Sequence, residues 1–338
     1  MPLSIVTAEQ RLARKPKINI ALFGPHGVGK TSQLKTLPPE DTLFVNLEGG
    51  ELAIEEWGGD MIDVRKESVD LGCHPWELAR ALACLMAGPD PSAGASGVSR
   101  HYGKAMYDQY AAVVADPESF KKYNTIFIDS ISVASRMCFA WAQTQPEAVS
   151  EKTGKPDNRG AYGLLGQEMM TWLTTCQHIP EKSIIVVGGL DAFKDDFNRP
   201  TFEVQIEGSK GGRELPGIFD EIITMALFVV DENGNATLDL KNGKERAFVC
   251  QLNNGFGVPA KDRSGRLEMT EPPSLGDLMK KIASAKRIDS TIQTAMPTAE
   301  SSPVVDTPPV AEVETATPAV EQNAQDTQEA GGSWKTQV

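Results

Sequence analysis

Gly24-Pro25-His26-Gly27-Val28-Gly29-Lys30-Thr31 has the spacing G-x-x-x-x-G-K-T, that of a phosphate-binding loop. Its neighbours supply the context such a loop needs. Lys17-Ile18-Asn19-Ile20-Ala21-Leu22-Phe23 is apolar and β-prone and reads as a buried strand. Thr31 to Leu37 can form one short helix, stopped by Pro38-Pro39. Glycines let successive N–H groups turn inward without Cβ clashes. Those donors and the helix N-terminus cradle phosphate oxygens. The expected nucleotide-binding set is Gly24, Pro25, His26, Gly27, Val28, Gly29, Lys30, Thr31 and Ser32. In this reading Lys30 bridges β- and γ-oxygens of ATP, and Thr31 gives its hydroxyl to Mg²⁺.

Outward from the loop, buried strands are expected at Thr42–Leu47, Thr125–Asp129, Ser183–Gly188 and Glu221–Val230, with a short edge strand at Met61–Val64. Helical spacing runs through Pro75–Ala87, Gly103–Ala115, Ile131–Thr144, Tyr162–Ile179 and Leu275–Ala285, and a short helix is expected at Glu9–Arg14. Asp191–Gly217 reads as irregular, with alternation at Thr201–Ile206 that suggests a projecting hairpin. Asn242-Gly243 between Thr237–Leu240 and Arg246–Leu252 signals a C-terminal β-hairpin. The division is a lead-in at 1–16, an ATPase domain at 17–287 and a disordered acidic tail at 288–338. The tail is rich in Thr, Pro, Ala, Glu and Gln and cannot bury enough apolar surface to offset its ordering entropy.

The 338 residues carry a net charge of −13, against a general nucleic-acid coat protein. Eight acids against Lys335 put −7 of it after Arg287, and the tail is expected to meet a protein partner. The five cysteines have no C-x-x-C spacing, so buried reduced thiols in the cytoplasm are expected, with no zinc site. The longest apolar run, Ile222–Val230, is half a membrane span and reads as core, so no membrane role is expected.

Asp129 ends an apolar strand, where the second magnesium-linked acid belongs. The general base is assigned to Glu48, just after the second strand, at the carboxyl edge where α/β sheets bind ligands. Gly24…Lys30-Thr31, Asn46-Leu47-Glu48-Gly49-Gly50 and Ile128-Asp129-Ser130 together resemble the RecA-like ATPase core. Clamp-loader-like ATPases have a glutamate directly after the strand-end aspartate; here it is Ser130. The resemblance implies an α/β fold with a mostly parallel five-stranded sheet in order 5-1-4-3-2. Gly212–Glu221 and Ala260–Arg266 resemble a narrower group, the phage-encoded RecA-like single-strand annealing proteins of the Sak type, often described as AAA-domain ATPases.

The resemblance implies ATP hydrolysis with Mg²⁺, single-stranded DNA as partner, recombination or annealing as the task, and the cytoplasm of a bacterial host. Lys261-Asp262-Arg263 resembles the Lys-x-Arg element that hexameric helicases and RadA-like recombinases insert into a neighbour's ATP site, which implies a ring or filament of like subunits. Two departures stand out. The fourth strand runs into Gly188-Gly189-Leu190-Asp191 without the glutamine that senses γ-phosphate in RecA. The loops at Gln143–Gly163 and Leu190–Glu214 are not basic, so DNA contact would fall to backbone amides and to Tyr162, Phe193, Phe197 and Phe202. A hexameric helicase or loader motor and a nucleotide switch without a DNA role stay open as alternatives.

Overall fold

The computed structural model describes residues 5–14, 16–150, 153–194, 200–232, 236–240 and 242–284. The acidic tail and Phe197 lie outside the described residues. The strands are β1 (Asn19–Gly24), β2 (Thr42–Asn46), β3 (Asp60–Asp63), β4 (Thr125–Asp129), β5 (Ser183–Lys194), β6 (Pro200–Val204), β7 (Glu221–Val230), β8 (Ala236–Leu238), β9 (Glu245–Val249), β10 (Lys261–Asp262) and β11 (Thr270–Glu271). They form one sheet in the order β11-β9-β7-β1-β5-β4-β2-β3, with β6 on β5 and β8 and β10 on β7. From β7 across to β3 the neighbours are parallel, so their carboxyl ends share one rim.

The α/β, mostly parallel architecture is as expected. The count of five strands is not: the expected order 5-1-4-3-2 stands in the middle of the sheet as β7-β1-β5-β4-β2, and β3 on one side and β9 and β11 on the other extend it. β7 has ten residues and β1 six. The outrunning backbone groups of β7 need partners, and antiparallel β8, β9 and β10 provide them. The C-terminal hairpin is corrected for the same reason: β8 and β9 flank the Asn242-Gly243 turn, but each pairs with β7 rather than with the other.

The α-helices are α1 (Ala8–Ala13), α2 (Val64–Asp70), α3 (Pro75–Ala87), α4 (Lys104–Val113), α5 (Ile131–Ala142), α6 (Asn158–His178), α7 (Ser209–Ile218) and α8 (Leu275–Ala283). α2 and α7 were not expected. Asp63 ends the short edge strand and caps α2, its carboxylate accepting the Arg65 and Lys66 N–H groups. α7 forms despite its glycines and an internal Pro216. The helix after the glycine loop is a single 3₁₀ segment, Thr31–Thr36.

Strand side chains alternate between two layers. Ala21, Phe23, Leu43, Val45, Ile126 and Ile184 face a thick layer that includes α3, α5 and α6. Ile20, Leu22, Phe44, Phe127, Ile185 and Met225 face a thinner layer holding the 3₁₀ segment and α8. In the thick layer Arg80 of α3 donates to Glu168 of α6 at 3.1 Å, and both are buried. The other Glu168 oxygen accepts from Ser99 at 2.5 Å, and Arg80 lies 4.9 Å from the centroid of the Trp141 ring. Removing one partner of such a buried pair costs about 3–5 kcal/mol, so these charges join α3, α5 and α6 behind the sheet.

Candidate active site

β1 delivers the glycine loop to the shared rim, with Gly24 level with Gly189 of β5. A Cβ on Gly24 would sit 2.5 Å from the Met225 carbonyl oxygen of β7, so only glycine permits that approach. Gly27 (φ 76°) and Gly29 (φ 105°) hold left-handed backbone that other residues avoid. Val28 between them is buried and anchors the loop to the thinner layer.

Four predicted residues converge here. The Lys30 amine donates to the Gly24 and Pro25 carbonyl oxygens, each at 2.9 Å. Burial lowers the Lys30 pKa, while Asp129 and Glu48 oppose that fall. The Thr31 hydroxyl donates to Asp129 Oδ2 at 2.5 Å. Asp129 is 3% exposed, and burial pushes its carboxyl up to about 6; the Thr31 hydrogen bond works against this and the Glu48 charge adds to it.

The Glu48 turn is built from β2. Asn46 pairs with Asp129 across the sheet, and Leu47 N–H donates to the Asp129 carbonyl at 2.7 Å. Asn46 Oδ1 accepts the N–H groups of Glu48 (3.2 Å) and Gly49 (2.8 Å), an Asx turn that leaves the Glu48 side chain exposed. Its negative charge helps to raise the Asp129 carboxyl. A Cβ on Gly50 would lie 3.8 Å from Thr31 Oγ1, so the turn abuts the loop. Ser130, where no acid stands, caps α5, its hydroxyl accepting from Val133 N–H at 3.3 Å. His26 is exposed and Ser32 half-buried at the loop's edges.

Lys261 and Arg263 are not brought to this cluster within the chain. β10 pairs with Glu221 and Ile222, at the amino end of β7, away from Met225. The Lys261 amine donates to the Pro216 and Phe219 carbonyls at 2.5 and 2.8 Å, and Arg263 pairs with Asp220 at 2.7 Å.

Two rim residues were missed from the sequence. Gln205, just past β6, folds back so that its N–H donates to the Gly189 carbonyl at 2.9 Å and its amide to Asp191 at 2.5 Å. A glutamine therefore stands beside Gly189, midway along β5, brought by the hairpin. The alternation at Thr201–Ile206 was the available signal. The other is Arg246, whose guanidinium lies against Gly29; nothing in its local sequence marks it.

Among the described residues no group of three or more His, Cys, Asp or Glu could hold a metal, and no helix is long and apolar enough to cross a membrane. A family model described as an AAA domain matches residues 16–264, which contain the loop, Glu48, Asp129 and Arg263. A search of curated proteins finds no match.

Proposed function

The chain belongs to the AAA-domain family, and on that premise we propose that it hydrolyses Mg²⁺-ATP and acts on single-stranded DNA in recombination or annealing, as a RecA-like protein of the Sak type. The observation that carries the reading is the convergence of Lys30, Thr31, Glu48 and Asp129 at one rim of the sheet.

The donor set fits Mg²⁺: the Thr31 hydroxyl and a buried Asp129 carboxylate are hard oxygen ligands, and this ion takes few protein ligands and shares phosphate oxygens. When bound there it would neutralise charge on the β- and γ-phosphates. Lys30 would exchange its two loop carbonyls for phosphate oxygens and hold the chain of phosphates against the loop N–H groups. Glu48, exposed beside Asp129, would take a proton from the attacking water onto its carboxylate. Asp129, with its carboxyl pushed up to about 6, is ionised at neutral pH and needs the cation most. Lys261 and Arg263 can then serve only a neighbouring subunit's phosphates.

The DNA part is supported by exposed aromatics. Tyr162, 46% exposed, stacks on Phe139 at 4.5 Å, and Phe193, 49% exposed, stands on the hairpin that carries Gln205. Base stacking on such rings needs no basic groove. The test is ATP turnover with and without single-stranded DNA at two protein concentrations. Stimulation by DNA and a specific activity that rises with concentration are expected. Turnover indifferent to DNA would leave a nucleotide-operated switch, and no turnover would overturn the ATPase reading.

A further inference from the structure

We propose that Arg246 is a second phosphate-binding cation of the nucleotide site, acting within its own subunit beside Lys30. The inference rests on the nucleotide reading above. β9 runs antiparallel to β7, with Phe248 opposite Met225 and Arg246 opposite Leu227. Residues two apart in a strand share a face, so Arg246 lies on the face of Phe248, which is buried with Val28 and Leu34. That is the face on which the glycine loop packs. Two residues nearer the carboxyl end of β7, the side chain overhangs the rim. A Cβ on Gly29 would lie 3.6 Å from Arg246 Nη1 and 3.9 Å from Cζ. The guanidinium therefore stands beside Gly29, in the middle of the loop.

Two further observations separate it from an ordinary surface arginine. It is exposed, and among the described residues no carboxylate pairs with it. Its five donors are free to meet an anion without breaking a contact. The cluster it overlooks also has one cation, Lys30, against Glu48 and Asp129. A triphosphate adds more negative charge than one lysine and one divalent ion balance, and a planar guanidinium suits phosphate oxygens.

The experiment uses the full chain, with ATP and Mg²⁺, by titration calorimetry. Arg246→Ala should weaken ATP binding about 10- to 100-fold, the range for a lost charge-assisted contact, with an unchanged melting temperature because the side chain is exposed and unpaired. Arg246→Lys should recover part of the affinity, and added guanidinium should restore turnover to Arg246→Ala. Mixing Arg246→Ala with Lys30→Ala should restore nothing, since no subunit then holds both groups. ATP affinity of Arg246→Ala within about twofold of wild type, while wild type binds well, overturns this inference and leaves the nucleotide reading standing. Recovery in the mixture overturns the assignment to the same subunit. Wild type that binds no ATP overturns both.

Discussion

The two ends of β7 hold cations in opposite conditions. At the carboxyl end Arg246 stands beside Gly29, with no carboxylate partner among the described residues. At the amino end Lys261 is bound by two backbone carbonyls and Arg263 by Asp220. A cation with free donors can meet a phosphate of its own subunit at once. One already engaged must exchange partners, and it does so only if the new partner is better. For Arg263 the exchange is cheap. Its side chain is 52% exposed and that of Asp220 26%, and an exposed pair contributes only about 0–1 kcal/mol. A phosphate that develops charge in a water-poor site between subunits outcompetes that carboxylate. On the proposed reading, the difference gives Arg246 to its own subunit's ATP and would leave Arg263 for a neighbour's.

The largest expected effect tests that division directly. Arg263→Ala should bind ATP normally and lose turnover by about 10³–10⁵, the scale of an arginine finger. Mixed with Lys30→Ala, which is equally inactive alone, it should recover part of the activity, because some interfaces then join an intact loop to an intact arginine. Arg246→Ala in the same mixture should not. If Arg263→Ala stays dead in a preparation shown to co-assemble, or retains wild-type turnover, the comparison breaks and Lys261 and Arg263 become surface groups of β10.

Next in size is Glu48→Gln. It should keep ATP binding and lose turnover by about 10²–10⁴, the range for a general base. Single-turnover assays at saturating ATP isolate that step. A wild-type rate would move the base elsewhere on the rim, with Gln205 left only to orient water. Asp129 adds a pH signature. Its carboxyl titrates near about 6 because of burial, so the Mg²⁺ needed for half-maximal turnover should rise as pH falls through that value, and Asp129→Asn should require more Mg²⁺ at every pH.

What was legible in the sequence follows how far each residue's role is fixed by its neighbours in the chain. Gly24–Thr31 is a local device, and three of its properties are backbone properties of glycine. Asp129 and Glu48 are each set by the end of one apolar strand. Arg246 and Gln205 depend on register. Arg246 reaches the loop only because β9 pairs with β7 rather than with β8, and Gln205 only because β5 runs on to Lys194 and brings β6 back along it. A turn signal such as Asn242-Gly243 fixes the turn but not which strand its flanks join. α7 escaped notice because Gly211, Gly212 and Pro216 oppose helix by propensity, yet Leu215 and Ile218 are buried in the thick layer, and that packing prevails.

The smallest effect probes the amino end of β7 alone. Glu221 is 1% exposed, and burial pushes its carboxyl up to about 8, with the nearby Asp262 charge adding to the rise. Burial alone would raise Asp262 too, but hydrogen bonds from the Ser264 hydroxyl and from the Leu267 and Gly265 N–H groups hold it below the usual carboxylate range. Glu221 therefore keeps its proton beside an ionised Asp262, while its Oε1 accepts the Ser264 N–H at 3.2 Å in the turn that carries Arg263. A carboxyl raised on folding contributes stability that is complete below its unfolded value, 4.5, and is lost as pH rises through about 8. Wild-type melting temperature should consequently fall between about pH 5 and about pH 8. Glu221→Gln, whose amide can donate to Asp262 at any pH, should show a shallower decline, by a few degrees at about 2–4 °C per kcal/mol for a domain of this size. Parallel declines in the two proteins would mean that Glu221 is ionised in the fold, and the amino end of β7 would then carry a second buried negative charge beside Arg263 and Asp220, binding that arginine more firmly to its own subunit and weakening the case for its service in the next.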